Sequence, residues 1–112
     1  MRYALMIYAP PGYGEELSEV EREAAHADYL ALAADARCVG SAQLQPAAMA
    51  TVVRVAGGRT LLSDGPFADT KEVFGGWFLF DADDLDAALE VAGRIPAVRL
   101  GGSVEVRPIV EQ

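Results

Sequence analysis

Two segments of this sequence are apolar on both sides of the chain, and they limit the possible folds more than any other feature. The first, Tyr3–Tyr8, reads Tyr-Ala-Leu-Met-Ile-Tyr, and the second, Trp77–Phe80, reads Trp-Phe-Leu-Phe. Successive side chains of a β-strand point to opposite faces of a sheet, so each segment predicts a strand that needs cover on both faces. Helices can cover one of these faces, and the other face needs a second layer.

Two helices are expected to provide the first layer. Ser18 and Glu21 have the spacing of a capping box, which predicts a helix that begins after Ser18 and ends near Arg37. Its sheet-facing stripe is expected to consist of small apolar residues at helical spacing, namely Val20, Ala24, Ala27, Ala31 and Ala34. A second helix is expected to begin at Asp83 or Asp84 and to end before Pro96, with an apolar stripe of Leu85, Ala88, Leu89 and Ala92.

The remaining segments complete an α+β pattern. Short strands are predicted over 39–44, 49–56, 59–63 and 103–109, and Gly57-Gly58 predicts a two-residue hairpin turn. We therefore predict a single domain over residues 1–112, with a ferredoxin-like antiparallel sheet and both helices on one face. Since the opposite face is apolar too, we predict that a second copy packs sheet against sheet to form a homodimer.

The composition excludes several classes of protein. Lys and Arg number 9 against 17 Asp and Glu, a formal net charge of −8, which disfavours binding to nucleic-acid phosphates. The single cysteine, Cys38, excludes an internal disulfide and a cysteine-rich metal site. No segment has the form of a signal peptide or a membrane span, so we expect a cytoplasmic protein that does not bind membranes.

Acid–base chemistry has two candidate side chains. His26 is the only histidine, and its imidazole is suited to proton transfer near neutral pH. Asp64 precedes a Gly-Pro turn and would either orient His26 or carry a second proton. The alternatives are a histidine on a helix flank without a role and an aspartate whose side chain caps a turn. The sequence leaves these alternatives open.

Four further residues are candidates for substrate binding. Lys71 is the only lysine and is suited to an anionic group, although it equally fits an exposed surface position. The aromatic candidates contact either a ligand or the core and dimer interface, and they are Tyr8, Phe67 and Trp77. One histidine and no spaced cysteines provide no metal site, and no glycine-rich phosphate loop follows a strand, so we expect neither a metal nor a cofactor.

The nonapeptide Asp64–Glu72, Asp-Gly-Pro-Phe-Ala-Asp-Thr-Lys-Glu, closely resembles the motif that names the DGPF domain proteins, a branch of the YCII-related family. The resemblance extends over nearly the whole chain and includes Gly40–Pro46 and Val104–Pro108. It implies a ferredoxin-like fold assembled as a dimeric α/β barrel. His26–Leu30 is similar to a His-x-x-aromatic-Leu helix segment of wider relatives, in which a histidine-containing cleft with an acidic partner is the proposed active site.

This resemblance implies two functions, and the sequence does not decide whether the chain is an enzyme. One is a cofactor-free acid–base enzyme acting on a small cyclic, lactone or halo-aromatic molecule, since some relatives are similar to dehydrochlorinases or lactone-processing enzymes. The other is a non-catalytic dimer that binds a ligand or a regulator, since many DGPF members resemble companions of extracytoplasmic-function sigma factors. The net charge of −8 would suit a basic partner in the second case.

Overall fold

The computed structural model describes residues 1–65 and 71–111. Six strands are present in these ranges: β1 (Arg2–Ala9), β2 (Cys38–Gln43), β3 (Thr51–Ala56), β4 (Arg59–Asp64), β5 (Val73–Asp81) and β6 (Ser103–Pro108). The helices there are α1 (Glu19–Ala34), α2 (Leu85–Gly93) and α3 (Pro96–Arg99), and a 3₁₀ turn covers Ala47–Met49.

Four strands form an antiparallel sheet in the order β2-β5-β1-β6. The central strand β1 runs antiparallel to both of its neighbours, and β2 runs antiparallel to β5 at one edge. In this order the two strand–helix–strand halves interleave, which is compatible with a ferredoxin-like sandwich. The predicted α+β architecture with an antiparallel sheet is therefore confirmed.

The core lies between the sheet and the helices. Leu5 on β1 and Phe80 on β5 are fully enclosed there. The helical half contributes Val91 and Ile95, which also have 0% exposure, and α1 contributes Leu32. Alternate residues of β1 and β5 are buried, so the sheet directs one set of side chains into this core.

The helix α1 packs through a different face from the one predicted. The predicted stripe faces solvent: Val20, Ala24, Ala27, Ala31 and Ala34. Instead, Ala25 and Leu32 are buried, and Tyr29 stacks on Phe78 with ring centroids 6.3 Å apart. The physical reason is that a leucine and a tyrosine bury more apolar surface against the sheet than a row of alanines does.

The stripe predicted for α2 is confirmed at two of its positions. Ala88 and Ala92 are buried, as expected, and Val91 is the third buried residue. Leu85 and Leu89 are each 48% exposed, because the helix turns Val91 rather than the leucines towards the sheet.

The helix ends follow local signals. The hydroxyl of Ser18 accepts a hydrogen bond from the backbone N–H of Glu21, and the Glu21 carboxylate accepts one from the N–H of Ser18, so the predicted capping box is confirmed. The helix α1 ends earlier than predicted, since Asp35 has an extended backbone. Asp84 caps α2 through its carboxylate.

Within the described ranges, no helix is both long and apolar enough to cross a membrane.

The side chains that point away from the helices form what we call the open face of the sheet. On β1 and β5 it consists of Ala4, Met6, Tyr8, Phe74, Trp77 and Leu79. Met6 lies opposite Trp77, and Ala4 lies opposite Leu79. Five of these side chains are half-buried in the single chain and Phe74 is exposed, so the two-sided pattern of β1 and β5 is confirmed.

The strands β3 and β4 form a second, two-stranded sheet in the described part of the chain between β2 and β5. Gly57 and Gly58 connect these strands with φ angles of 57° and 76°. Left-handed values at both positions are those of a two-residue type I′ turn, which glycine adopts without strain. The predicted hairpin is confirmed.

We expect Gly76→Ala to destabilise the protein by more than about 1 kcal/mol, because the added β-carbon would have to displace backbone of a neighbouring strand. It would lie 2.8 Å from the carbonyl oxygen of Ala42 on β2. Gly75→Ala is the matched control, since nothing lies within 4 Å of a β-carbon there. Urea unfolding followed by circular dichroism measures both variants. Equal unfolding midpoints would contradict the expected collision.

Candidate functional site

The centre of the open face is an aromatic surface laid over small residues. Trp77 lies opposite Met6 on β1 and opposite Ala42 on β2. A β-carbon at Gly40 would come within 3.8 Å of the Trp77 ring, so the indole extends across β2. This part of the sheet presents an indole and a thioether, both half-buried, and Glu105 on β6 lies opposite Met6 at its margin.

Four side chains meet at one end of the open face, and we call them the rim cluster: Tyr8, Glu72, Phe74 and Ser103. The rings of Tyr8 and Phe74 pack with centroids 5.6 Å apart and planes inclined at 54°. Ser103 on β6 lies opposite Tyr8, and its hydroxyl donates a 2.8 Å hydrogen bond to a carboxylate oxygen of Glu72. The cluster brings a carboxylate and a hydroxyl to the strand end that carries two aromatic rings.

A β-bulge produces this arrangement. The register between β1 and β5 shifts after Ile7, so that Ile7 lies opposite Gly76 and Tyr8 lies opposite Phe74. In an unshifted register Tyr8 would lie opposite Gly75, which has no side chain to contact. The bulge therefore creates the aromatic pair, in keeping with the role of bulges in redirecting side chains near sites.

Two of the predicted substrate-binding residues lie on the open face. Tyr8 belongs to the rim cluster, Trp77 lies at the centre, and both are half-buried. Lys71 is exposed, whereas the adjacent Glu72 is half-buried, which agrees with neighbours that point in different directions. Phe67 falls outside the residues that the structure describes.

The two predicted catalytic residues lie on different elements. His26 is exposed on α1, and Asp64 is exposed at the end of β4, where it lies opposite Thr51. In residues 1–65 and 71–111, no hydrogen bond or ion pair joins His26 to Asp64. A single copy thus leaves both groups in contact with solvent, and their shared role in catalysis stays a prediction.

In the segment His26–Leu30 the residue that enters the core is Tyr29. Burial against Phe78 raises the pKa of Tyr29 above the usual range of a phenol, and hydrogen bonding with Tyr13 raises it further. Its hydroxyl therefore stays protonated at neutral pH. Tyr29 is half-buried against the core and its hydroxyl is hydrogen-bonded, whereas His26 is exposed.

A groove of about 270 Å³ lies between α1 and the α2–α3 region, and its charged groups are paired. Arg99 donates a 2.6 Å hydrogen bond to Asp28, which joins α3 to α1. Asp35 accepts hydrogen bonds from the backbone N–H of Arg37 at 2.8 Å and from its guanidinium at 3.0 Å. Since these pairs hold helices and helix ends together, we assign this groove a structural role.

The described part of the chain buries no polar or charged side chain. It also contains no group of His, Cys, Asp and Glu residues arranged to hold a metal ion.

Enzymes shift the pKa of catalytic groups largely by burial and by nearby charges. A ligand at the rim cluster would be shielded from water only if another layer covered the open face.

Glu72, Phe74 and Ser103 are candidate site residues that the sequence analysis missed. Glu72 and Ser103 are 31 positions apart, and the pairing of both β5 and β6 with β1 brings them together. The register shift that selects Phe74 is equally a property of the folded sheet. The pair Gly75-Gly76 was the available signal, because glycines inside a strand often mark a bulge.

Comparison with known proteins gives a family and a relative. The family model of the YCII-related domain matches residues 1–112. The chain is 35% identical over 114 residues to an uncharacterized protein of Rhizobium meliloti (strain 1021), and the match covers 97% of this chain and 92% of that protein. The name of this relative states no activity, so a functional conclusion has to come from the site.

We expect Asp35→Asn to lower the stability at neutral pH by about 1 kcal/mol, because charge-assisted hydrogen bonds are lost. Hydrogen bonds from the Arg37 side chain and backbone hold the pKa of Asp35 at about 2 in the folded protein. The unfolded carboxyl titrates near pH ~3.9, so the stabilisation is complete above that value and is lost as the pH falls towards 2.

Thermal unfolding of wild type and Asp35→Asn between pH 3 and pH 7 measures this dependence. The difference between them should shrink as the pH falls, and Arg37→Gln, which removes the charged guanidinium donors, should show the same trend. A difference that is constant across this range would contradict the assigned cause.

Proposed function

The chain belongs to the YCII-related family, and we propose that it works as a homodimer that binds a small organic molecule at the rim cluster. In this proposal the open faces of two copies pack against each other, as in a dimeric α/β barrel, and each rim cluster lies at the margin of the interface. The observation that carries the proposal is the open face, a sheet surface on the side opposite the helices that is apolar along β1 and β5.

Burial of the open face would drive association. Met6, Trp77 and Leu79 are only half-buried in one copy, and each Å² of apolar surface removed from water contributes about 25 cal/mol. Glu105 and Arg107 lie on the edge strand β6 and pair with each other at 3.4 Å. An apolar centre with charges at its periphery is the usual anatomy of a protein interface. Two-fold symmetry would let one surface serve both copies.

The rim cluster favours an aromatic or cyclic ligand with a hydrogen-bond donor. Tyr8 and Phe74 provide ring faces for stacking, and the Glu72 carboxylate accepts hydrogen bonds. Binding sites of small molecules commonly combine apolar walls with a few placed polar groups. A partner copy over the open face would supply the wall that a single chain lacks.

Acid–base turnover of a cyclic, lactone or halo-aromatic substrate by His26 and Asp64 is the alternative, with Lys71 as a group that holds an anion. This function requires the assembled dimer to bring His26 and Asp64 to one ligand, since proton transfer needs hydrogen-bond reach. We favour binding, because the open face carries three aromatic side chains, whereas His26 and Asp64 lie on other elements. A ligand-binding dimer would also serve the regulatory alternative, in which a sigma factor is the partner.

We expect the wild-type chain to sediment as a dimer at micromolar concentration, with twice the chain mass of 11.9 kDa. Leu79→Glu places a charge in the open face and should give a monomer. Leu89→Glu is the matched control on α2, where the leucine is 48% exposed, and should stay dimeric. Far-ultraviolet circular dichroism checks that both variants fold. A well-folded wild-type monomer at this concentration would overturn the proposal.

Trp77 is the only tryptophan, so its fluorescence reports on binding at the open face. In a panel of phenols, aromatic acids and lactones, at least one compound should change the emission saturably. Tyr8→Ala and Phe74→Ala should weaken its binding by about tenfold, because each removes a stacking ring. Binding should be unchanged in His26→Ala.

The same panel distinguishes the alternative. Formation of a product that disappears in His26→Ala would support acid–base catalysis over binding alone. The absence of any saturable response across the panel would count against a ligand site at the rim cluster.

A further inference from the structure

The β3–β4 hairpin carries an apolar face that is open to solvent in the single chain. We call the hairpin, Thr51–Asp64, the arm. On it Val53, Val55 and Leu62 are 64%, 71% and 69% exposed. Aliphatic side chains that are exposed next to one another are typical of a surface that another molecule covers.

The three side chains form one continuous surface. Val53 lies directly opposite Leu62, and Val55 follows two residues later on the same strand, so all three point to one side of the arm. The other side is mixed in character, since Arg54 lies opposite Leu61 there. The arm is therefore amphipathic, with its more apolar side in solvent.

A hairpin of two strands is marginally stable in water without a further layer. The arm forms a sheet of its own, and it is joined to the rest of the protein at its base. There the N–H of Gly65 donates a 2.7 Å hydrogen bond to the carbonyl of Ala50. The strands beyond this base need a packing partner for their apolar side.

The arm extends away from the body of the chain, by which we mean the four-stranded sheet with its helices. The radius of gyration is 15.8 Å, whereas a compact domain of this length has a value of about 13 Å. If the arm were folded back over its own body, the radius of gyration of the chain would be closer to that of a compact domain. The extended position gives the arm the reach to contact a second molecule.

We infer that the arm of each copy packs its apolar side on the body of the partner copy, an inference that rests on the proposed homodimer. The distribution of charge favours the body of the partner copy as the surface that the arm contacts. The arm carries Arg54, Arg59 and Asp64, a net charge of +1, and the rest of the chain carries −9, because the total is −8. Contact between the arm of one copy and the body of its partner brings opposite net charges together. Contact between the two arms would bring like charges together.

The position of the arm is continuous with the proposed interface. The segment that leads into the arm is hydrogen-bonded to β5 through Leu44, whose N–H donates to the carbonyl of Gly75 at 2.9 Å. Gly75 follows Phe74 of the rim cluster, so the segment that leads into the arm adjoins the end of the open face. Two copies that meet through their open faces would each have an arm beside the partner.

The test compares two matched double variants on opposite sides of the arm. V53T/L62T changes the apolar side, and V52T/L61T changes the other side by the same two substitutions. Threonine keeps a high strand propensity, so the hairpin itself should persist. Sedimentation equilibrium should show a dimer Kd raised about tenfold or more in V53T/L62T and by less than about threefold in V52T/L61T.

Hydrogen exchange of the wild-type protein is a second measurement, which serves if V53T/L62T does not fold. The cross-strand amides of β3 and β4 should be protected in the dimer and should lose this protection on dilution to monomer.

An unchanged dimer Kd in V53T/L62T would overturn the inference, as would arm amides that exchange equally fast in dimer and monomer. Either result is compatible with the proposed homodimer if Leu79→Glu still gives a monomer. A wild-type chain that is monomeric would overturn the homodimer and the arm contact together.

Discussion

Strand β1 is hydrogen-bonded along both edges and apolar on both faces. Most of the structure depends on which strands pair with its edges and which layers cover its faces. The edges pair with β5 and β6. One face forms the core, where Leu5 and Phe80 are fully enclosed beneath the helices. The other face carries Met6, and the described helices pack on the opposite side. The chain therefore buries one side of its central strand more completely than the other.

This division explains why the chemically interesting side chains lie at the surface of a single chain. Tyr8, Phe74, Glu72 and Ser103 meet at the end of the uncovered face, and the described residues bury no polar side chain in the core. A ligand site without a shielding layer gains little from polar contacts, since water competes for them. In the proposed assembly, ligand binding and association are therefore linked, and ligand affinity depends on protein concentration.

Local sequence signals predicted the elements well where the interactions are local. The Ser18–Glu21 capping box and the Gly57-Gly58 turn are made by neighbouring residues, and both are present as expected. The prediction of which face of α1 packs on the sheet was wrong, because the spacing of small residues does not determine which side of the helix contacts Phe78. Of the site, Tyr8 and Trp77 were identified through their aromatic character. The partners of Tyr8 depend on a register shift and on β6, which no local pattern encodes.

The sequence by itself determined the two-sided strands, the order of elements and the hairpin, because alternation, capping and turn chemistry act over a few residues. The tertiary structure alone decided which side of α1 is buried, that Tyr8 meets Phe74, and that Ser103 bonds Glu72 from 31 positions away. It also placed His26 and Asp64 on separate elements. Such outcomes depend on strand register and on competition between faces for buried area, and these are properties of the whole chain.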